Sequence, residues 1–297
     1  MVRAMPWVFV LIWSTGFVAA RLAMPHSPPF SFMTVRFALS ALCFFAWIAL
    51  AGAAWPLGRA QWGHLAVTGL LMQAGYLGGV WSAVKAGMGA GTVALLVGLQ
   101  PVLTALWLTA TASRATEGAG IAAKVSMREW LGLLLGFSGL ALVVWPKLGT
   151  GEVTPANLAL AIVALLSITV GTLYQKRYVA PCDVRSASAV QMLAALVVSA
   201  PLAWLEPEAM DWHLNLAAAM AWSVGVLTLG GSSLLYLLIE RGEATAVTSL
   251  LYLVPPCTAL MAWLLFGEAF TPLMMLGMAL TVVGVAIVVR RRGAAAA

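Results

Sequence analysis

The sequence predicts an all-α polytopic membrane protein, with ten transmembrane helices arranged as two inverted five-helix repeats and both termini in the cytoplasm. Three observations predict this fold: the apolar composition, the distribution of positive charge and an internal repeat. Of the 297 residues, 62% are hydrophobic and 9% are charged, and the mean hydropathy is +0.97. A soluble domain carries about 25% charged residues. The composition therefore excludes a soluble enzyme, a disordered chain and a fibrous repeat.

Apolar runs of helical length divide the chain into ten predicted spans. One crossing needs about 20 apolar residues, and runs such as 131–145 lack the alternation of polar and apolar positions that a β-barrel strand would show. Hydropathy together with breaks at proline, glycine and charged residues gives the spans 5–21, 30–52, 62–85, 91–111, 129–146, 156–175, 185–204, 213–239, 244–266 and 272–289.

Lysine and arginine are concentrated in the loops on one side of the predicted membrane. With the N-terminus in the cytoplasm, 12 of the 16 fall in cytoplasmic segments, while Arg21, Lys85 and Lys147 fall outside and Arg36 lies within the second span. Cytoplasmic loops of membrane proteins carry such an excess. The bias predicts cytoplasmic termini, and it also supports the count of ten because an error of one span would scramble it.

Two ordered blocks of the first half recur in the second half. The block around Pro101 recurs 154 residues later around Pro255, and Thr-Ala-Leu follows at the same spacing in both. The pattern Leu-Gly-x-x-Leu-x-x-x-Gly-x-Ala-x-Val-Val occurs at 131–144 and again at 276–289. These blocks predict two repeats, 1–147 and 156–292. Each repeat holds five spans, so the second enters the membrane from the opposite side, as in many secondary transporters whose site lies between the halves.

These blocks and several shorter motifs resemble the drug/metabolite transporter superfamily, specifically its ten-helix branch with two EamA-type repeats. The shorter motifs are Trp13-x-x-Gly16-Phe17, Pro29, Arg36-Phe37 and Gly267-Glu268. The resemblance covers nearly the whole chain and implies an exporter of amino acids, other metabolites or drugs in a bacterial-type inner membrane. One departure is Ser113-Arg114, within an extended loop at 111–127, where the first repeat would otherwise carry Gly-Glu.

Polar and aromatic side chains within the spans are the candidates for a substrate cavity. An amide or a phenol in hydrocarbon needs a partner, so each should face a cavity or another helix. The predicted cavity residues are Trp13, Arg36, Gln73, Tyr76, Gln100, Tyr174, Gln191, Tyr236 and Tyr252. Interhelical hydrogen bonding is the alternative for each. Arg36 could attract a carboxylate in the cavity, snorkel outward, or bond to backbone carbonyls.

Pro101 and Pro255 are the predicted hinge or gating residues, because paired helix-breakers at equivalent positions of two repeats mark the site and the bending elements. All ten acidic residues fall at span ends or in loops. Proton-coupled antiporters usually carry a membrane-buried carboxylate. The sequence therefore favours uniport or exchange over tight proton coupling.

The leading hypothesis is a secondary transporter that exports small polar metabolites, above all amino acids with broad specificity, by alternating access at a central cavity. It needs a small-molecule substrate and the lipid bilayer, but no cofactor, metal or nucleic acid, and we expect a monomer without disulfides and without enzyme activity. One alternative is an exporter of drugs or other lipophilic compounds, which the many tryptophans favour. A remote alternative is an intramembrane serine hydrolase using Ser232, which would need a buried histidine base. A channel is a further alternative, although no ring of charges is evident.

Overall fold

A computed structural model describes residues 5–107, 127–234 and 251–295, and within these ranges the regular secondary structure is helical. The helices of the first half are α1 (Met5–Ala23), α2 (Pro29–Ala51), α3 (59–85), α4 (Ala90–Trp107) and α5 (Met127–Thr150). Those of the second half are α6 (Pro155–Tyr178), α7 (Val184–Trp204), α8 (Leu214–Leu234), α9 (Val254–Phe266, after the 3₁₀ turn Leu251–Leu253) and α10 (Pro272–Ala295).

Six of these helices, α2 and α4 to α8, are long and apolar enough to cross a bilayer. Shorter apolar helices lie at Trp7–Ala23, Val254–Phe266 and Pro272–Ile287. Large apolar side chains on the outer surface, such as Leu42 and Val197, are exposed, which suits contact with lipid but not with water. The chain is therefore a multi-pass membrane protein.

Local sequence sets where several helices begin and end. Pro29 occupies the first turn of α2, where its missing N–H costs nothing, and α2 ends at Gly52 with a left-handed φ of 61°. At the start of α6, the side chains of Thr154 and Asn157 each accept a hydrogen bond from the other's backbone N–H, which forms a capping box. α9 ends at Gly267 with a φ of 65°, and this turn redirects the chain so that Glu268 points back toward the bundle.

Helices at equivalent positions of the two halves pack against each other. α2 lies against α7, α4 against α9 and α5 against α10. Two further pairs of contacts match, because α3 packs on α6 as α8 packs on α1, and α4 packs on α6 as α9 packs on α1. The two halves therefore interlock around an approximate two-fold axis.

The glycines of the repeated Leu-Gly blocks form the contact between α5 and α10. A Cβ on Gly284 would lie 2.6 Å from the Gly132 carbonyl oxygen, and a Cβ on Gly277 would lie 2.5 Å from that of Gly139. Gly277 is the counterpart of Gly132, and Gly284 is the counterpart of Gly139. Partners exchanged in this way are what a two-fold axis across antiparallel helices produces. Small residues let the two backbones approach this closely.

α3 and α8 each contain a π-helical segment, a feature that the sequence did not predict. The segments are Leu70–Gly75 in α3 and Trp222–Gly230 in α8. The first, displaced by the 154 residues of the repeat, falls inside the second. π-Helical segments are rare and often occur at functional sites.

Both predicted hinge prolines follow a short break in regular α-helical geometry. α4 is interrupted by a turn at residues 98–99 just before Pro101, and the 3₁₀ turn Leu251–Leu253 comes just before Pro255. The two breaks pack together, since a Cβ on Gly98 would lie 2.7 Å from Pro255 Cγ. Each proline thus begins a helical segment, where its missing N–H and fixed φ are tolerated.

Candidate functional site

A cavity of about 500 Å³ lies among α1, α2, α3, α6, α7 and α8. This volume is in the range of small-molecule sites. Within the part of the chain that the structure describes, none of its lining residues comes from α4, α5, α9 or α10. The lining runs from Trp81 in the interior to the exposed residues Lys176, Ala180 and Pro181. The cavity therefore opens at the end where α6 finishes and α7 begins.

Arg36 of α2 faces this cavity with only 7% of its surface exposed. Its Nη2 donates a hydrogen bond of 3.3 Å to Thr228 Oγ1 on α8, and its guanidinium carbon lies 5.8 Å from the centroid of the Trp81 ring. Tyr76 interacts with the guanidinium and with the Trp13 side chain. Arg36 thus stands where α1, α2, α3 and α8 meet, and not at the lipid surface.

The two π-helical segments contribute directly to the lining. Gln73 lies in the segment of α3 and Thr228 in that of α8. Thr228 Oγ1 accepts from Arg36 and donates a 2.8 Å hydrogen bond to the Ser223 carbonyl oxygen, five residues earlier. The π turn therefore fixes the hydroxyl that orients Arg36. Thr228 was not among the predicted site residues, because a threonine in an apolar run gives no signal of its own.

Gln191 of α7 lines the cavity opposite this group. α7 approaches α3 closely here, because a Cβ on Gly69 would lie 2.5 Å from the Gln191 carbonyl oxygen. Five of the nine predicted cavity residues therefore share the cavity. They are Trp13, Arg36, Gln73, Tyr76 and Gln191.

Two of the other predicted cavity residues, Gln100 and Tyr174, do not join this group. Gln100 Nε2 donates a 3.0 Å hydrogen bond to Thr172 Oγ1 on α6. The Tyr174 hydroxyl lies 2.9 Å from His64 Nδ1 on α3. Neither Gln100 nor Tyr174 lines the cavity. Both side chains form hydrogen bonds to a neighbouring helix, which was the alternative to a place in the cavity. Tyr236 lies outside the described residues, as does the side chain of Tyr252.

These two classes of glutamine give a matched prediction. We expect Gln191→Leu to raise the KM for transport about tenfold, because it removes a hydrogen-bonding group from the cavity. We expect Gln100→Leu to leave KM unchanged and to lower only the thermal stability, because its amide bonds α4 to α6. Transport kinetics and thermal unfolding of both purified variants check this. A larger KM change in Gln100→Leu than in Gln191→Leu would contradict the assignment.

At the end of the molecule opposite the cavity mouth, carboxylates from two loops bind the start of α4. The N-terminus of α4 has no capping side chain of its own. Glu268 supplies one, accepting from the backbone N–H groups of Ala90 at 2.9 Å and Gly91 at 3.4 Å, and its other contact is the Arg21 guanidinium at 3.8 Å. A carboxylate here satisfies free N–H groups and complements the helix dipole.

Glu152 reinforces the same place from the loop between α5 and α6. Its Oε1 accepts from the Gly89 backbone N–H at 3.2 Å, from the Thr92 hydroxyl at 3.2 Å and from Lys147 Nζ at 2.7 Å. Lys147 also donates to Thr92 Oγ1 at 2.7 Å. None of these groups was predicted, because the contacts to Gly89 and Thr92 join residues at least 55 positions apart in sequence.

Ser232 also lines the cavity, but it has no histidine beside it there. His64 is hydrogen-bonded to Tyr174. His26 and His213 stack on each other with ring centroids 4.4 Å apart. All three histidines are among the described residues, and none lines the cavity. The described lining therefore offers Ser232 no histidine to act as its general base.

Comparison with known proteins adds a family and a fold. A model described as the EamA-like transporter family matches residues 5–145 and again residues 156–290. The uncharacterized transporter sll0355 of Synechocystis sp. is 24% identical and is matched over 94% of this chain and 87% of its own length. The uncharacterized transporter YvbV of Bacillus subtilis is 24% identical over 94% and 88%. A solved crystal structure is 19% identical with a TM-score of 0.63, covering 96% of this chain and 95% of that chain, and this likeness concerns the fold alone.

Proposed function

Because the chain belongs to the EamA-like transporter family, we propose that it is a secondary transporter that exports small polar metabolites, foremost amino acids, with broad specificity. The observation that carries this proposal is the cavity, which places Arg36, Gln73, Tyr76 and Gln191 among apolar walls. Alternating access requires such a site between helices of both halves. The family and the transporter relatives also indicate a transporter and not an enzyme.

The proposed topology has ten crossings in two inverted repeats, 1–147 and 156–292, with both termini in the cytoplasm of a cell inner membrane. In that topology the mouth beside Lys176 faces the cytoplasm, and the cluster around Glu268 closes the outer end. The structure then corresponds to an inward-facing state of a monomer. Pro101 and Pro255 act as hinges, since each follows a turn that departs from α geometry and neither proline can donate a helical hydrogen bond.

The chemistry of the lining suits a small molecule with a carboxylate. The planar guanidinium of Arg36 binds a carboxylate through paired N–H donors. The amides of Gln73 and Gln191 and the phenol of Tyr76 donate and accept, so they bind the polar groups of many side chains equally well. Because the two amides and the phenol carry no charge, they support broad specificity.

Uniport or exchange is the mode that the described lining supports. None of the lining residues in the described ranges is aspartate or glutamate, so the described lining offers no carboxylate to carry a proton across the membrane. Neither a cofactor nor a metal takes part in this mechanism. Substrate movement follows the gradients of the substrate itself or of its exchange partner.

Uptake into proteoliposomes tests the proposal. We expect saturable uptake of labelled leucine that exceeds uptake into protein-free liposomes, that other amino acids inhibit, and that an imposed pH gradient leaves unchanged. Strict selectivity for leucine would contradict broad specificity. Acceleration by the pH gradient would contradict uniport, and the absence of any saturable uptake would contradict amino-acid transport.

Export of lipophilic compounds is the second candidate, and the aromatic walls favour it. Phe9, Trp13, Phe17 and Trp81 all line the cavity. Aromatic surfaces bind flat apolar molecules and cations. The same liposomes distinguish the two candidates, because a drug exporter would bind hydrophobic dyes in preference to leucine.

A further inference from the structure

The cavity holds a buried positive charge that the described protein does not neutralise. Arg36 is 7% exposed, and within residues 5–107, 127–234 and 251–295 no carboxylate forms an ion pair with it. A guanidinium has five N–H donors. The described hydrogen bonds use one of these, to the neutral hydroxyl of Thr228. Within the described residues, no hydrogen bond occupies the other donors, and we take them to be available to a molecule in the cavity.

The described lining contains one other charged residue, and its charge is also positive. Lys176 at the mouth is the second charged residue of that lining. The nearby carboxylate of Asp183 is already bound, since it accepts from Arg185 Nη2 at 2.6 Å and from the Arg185 backbone N–H at 2.9 Å. These bonds hold the pKa of Asp183 below its usual value, so it stays ionised and paired with Arg185. The cavity thus attracts anions and offers no fixed negative charge to an ammonium group.

A buried charge without a partner costs free energy, and a bound counter-charge recovers it. A carboxylate beside Arg36 gains charge-assisted hydrogen bonds. An ammonium group in the same cavity loses its hydration and gains only neutral acceptors. The two ends of an amino acid therefore contribute with opposite signs to its binding.

We propose that the cavity recognises organic monoanions, with a single carboxylate on Arg36 and an apolar body against Trp81 and Trp13, and that it does not recognise the α-ammonium of an amino acid. This inference rests on the proposed transport function and names the chemical class of its preferred substrate. N-acylated or deaminated amino acids are better substrates than the zwitterions.

Transport of a monoanion also supplies a driving force without a proton site. Uniport of such an anion carries one negative charge outward per molecule. A membrane potential of 100 mV, negative inside, favours that movement about 50-fold at equilibrium. A zwitterion carries no net charge and gains nothing from the potential. The charge of the transported anion therefore supplies a driving force for export, although the described lining contains no carboxylate for proton coupling.

The first experiment measures binding to the purified full-length chain by titration calorimetry, with three ligands of the same skeleton. N-acetylleucine carries only the carboxylate, leucine carries both charges, and leucinamide carries only the ammonium. We expect N-acetylleucine to bind at least about tenfold more tightly than leucine, and leucinamide not to bind.

Variants link this order to Arg36. We expect Arg36→Gln to weaken binding of N-acetylleucine at least about tenfold, and Arg36→Lys to restore part of it by returning the charge without the planar fork. The control is Lys85→Gln, which removes a cation paired with Glu208 on the outer surface and should change binding less than about twofold. Size-exclusion profiles show whether each variant is folded. If Arg36→Gln is unfolded, Thr228→Val replaces it, with an expected loss of about threefold because Arg36 loses its orienting hydroxyl.

The second experiment measures efflux from preloaded proteoliposomes under a potassium diffusion potential. We expect an inside-negative potential to accelerate efflux of N-acetylleucine and to leave efflux of leucine unchanged. Leucine binding as tightly as N-acetylleucine, with neither efflux responding to the potential, would overturn this inference and leave amino-acid transport intact. Binding of leucinamide alone, or of none of the three ligands, would overturn both the inference and the proposed function.

Discussion

Replacement of Gly139 by leucine is expected to prevent α5 from packing on α10 and to remove nearly all folded protein. The side chain would have to occupy space filled by the Gly277 carbonyl and by Thr281. Those atoms belong to a helix backbone and to a residue held by its own hydrogen bond to Gly277, so they cannot move aside as a flexible side chain would. Overpacking of this kind costs about 3 kcal/mol or more, a large part of the 5–15 kcal/mol that stabilises a typical protein.

Gly149 provides the control on the same helix, because a Cβ there would meet no atom within 4 Å. We expect Gly149→Leu to give a normal yield of monodisperse protein by size-exclusion chromatography, and Gly139→Ala to fall between the two leucine variants. Equal yields of Gly139→Leu and Gly149→Leu would show that the close approach of α5 and α10 is not needed for folding.

In the proposed topology, replacement of Glu268 by alanine is expected to open the outer end and shift the molecule toward the outward-facing state. The change leaves the N–H groups of Ala90 and Gly91 without their acceptor and Arg21 without its partner. Hydrogen bonds to a charged group contribute about 1.5–3 kcal/mol each, so the ratio of outward to inward states should rise at least about tenfold. A reporter cysteine replaces Leu77, a lining residue of α3, in a variant whose three native cysteines have been replaced by alanine. Its labelling by an impermeant maleimide from the outer side should accelerate by the same factor.

Glu208 is the matched control for Glu268, since it also forms an ion pair on the outer end, with Lys85 at 2.6 Å, but its side chain is 59% exposed. Exposed pairs contribute at most about 1 kcal/mol, so Glu208→Ala should change the labelling rate less than about fivefold. If both variants accelerate labelling equally, a general loss of negative charge explains the result. If neither does, other contacts hold the outer end closed.

The sequence predicted where helices lie because a bilayer demands long apolar runs, whatever the helices pack against. It predicted less well which way a polar residue faces. A membrane helix is apolar on every side, so no amphipathic pattern distinguishes the cavity face from the faces toward other helices. Gln191 and Gln100 are both amides in apolar spans, yet Gln191 lines the cavity and Gln100 bonds to Thr172. Only the packing of α7 and α4 separates them.

The contacts of Glu268 could not be predicted from the sequence for a different reason. Glu268 was noticed as part of a Gly-Glu motif, but its function depends on α4, which begins 178 residues earlier at Ala90. The missing cap of α4 is visible in the sequence as Gly89, yet nothing local says which remote carboxylate replaces it. The π-helical segments of α3 and α8 were missed for a similar reason, since a change from α to π geometry depends on what the helix packs against.

The glycine contact between α5 and α10 has a mechanical consequence. It lies apart from the cavity, since no described lining residue comes from either helix. Sliding along it would drive side chains such as Leu135 into the facing backbone, whereas a small rotation keeps the glycines in register. The contact between α5 and α10 is therefore suited to act as a pivot about which the helices around the cavity rotate. In the proposed alternating-access cycle, the approximate two-fold axis relates the helices at the two ends of the cavity, so the rotation that closes the mouth beside Lys176 opens the end held by Glu268.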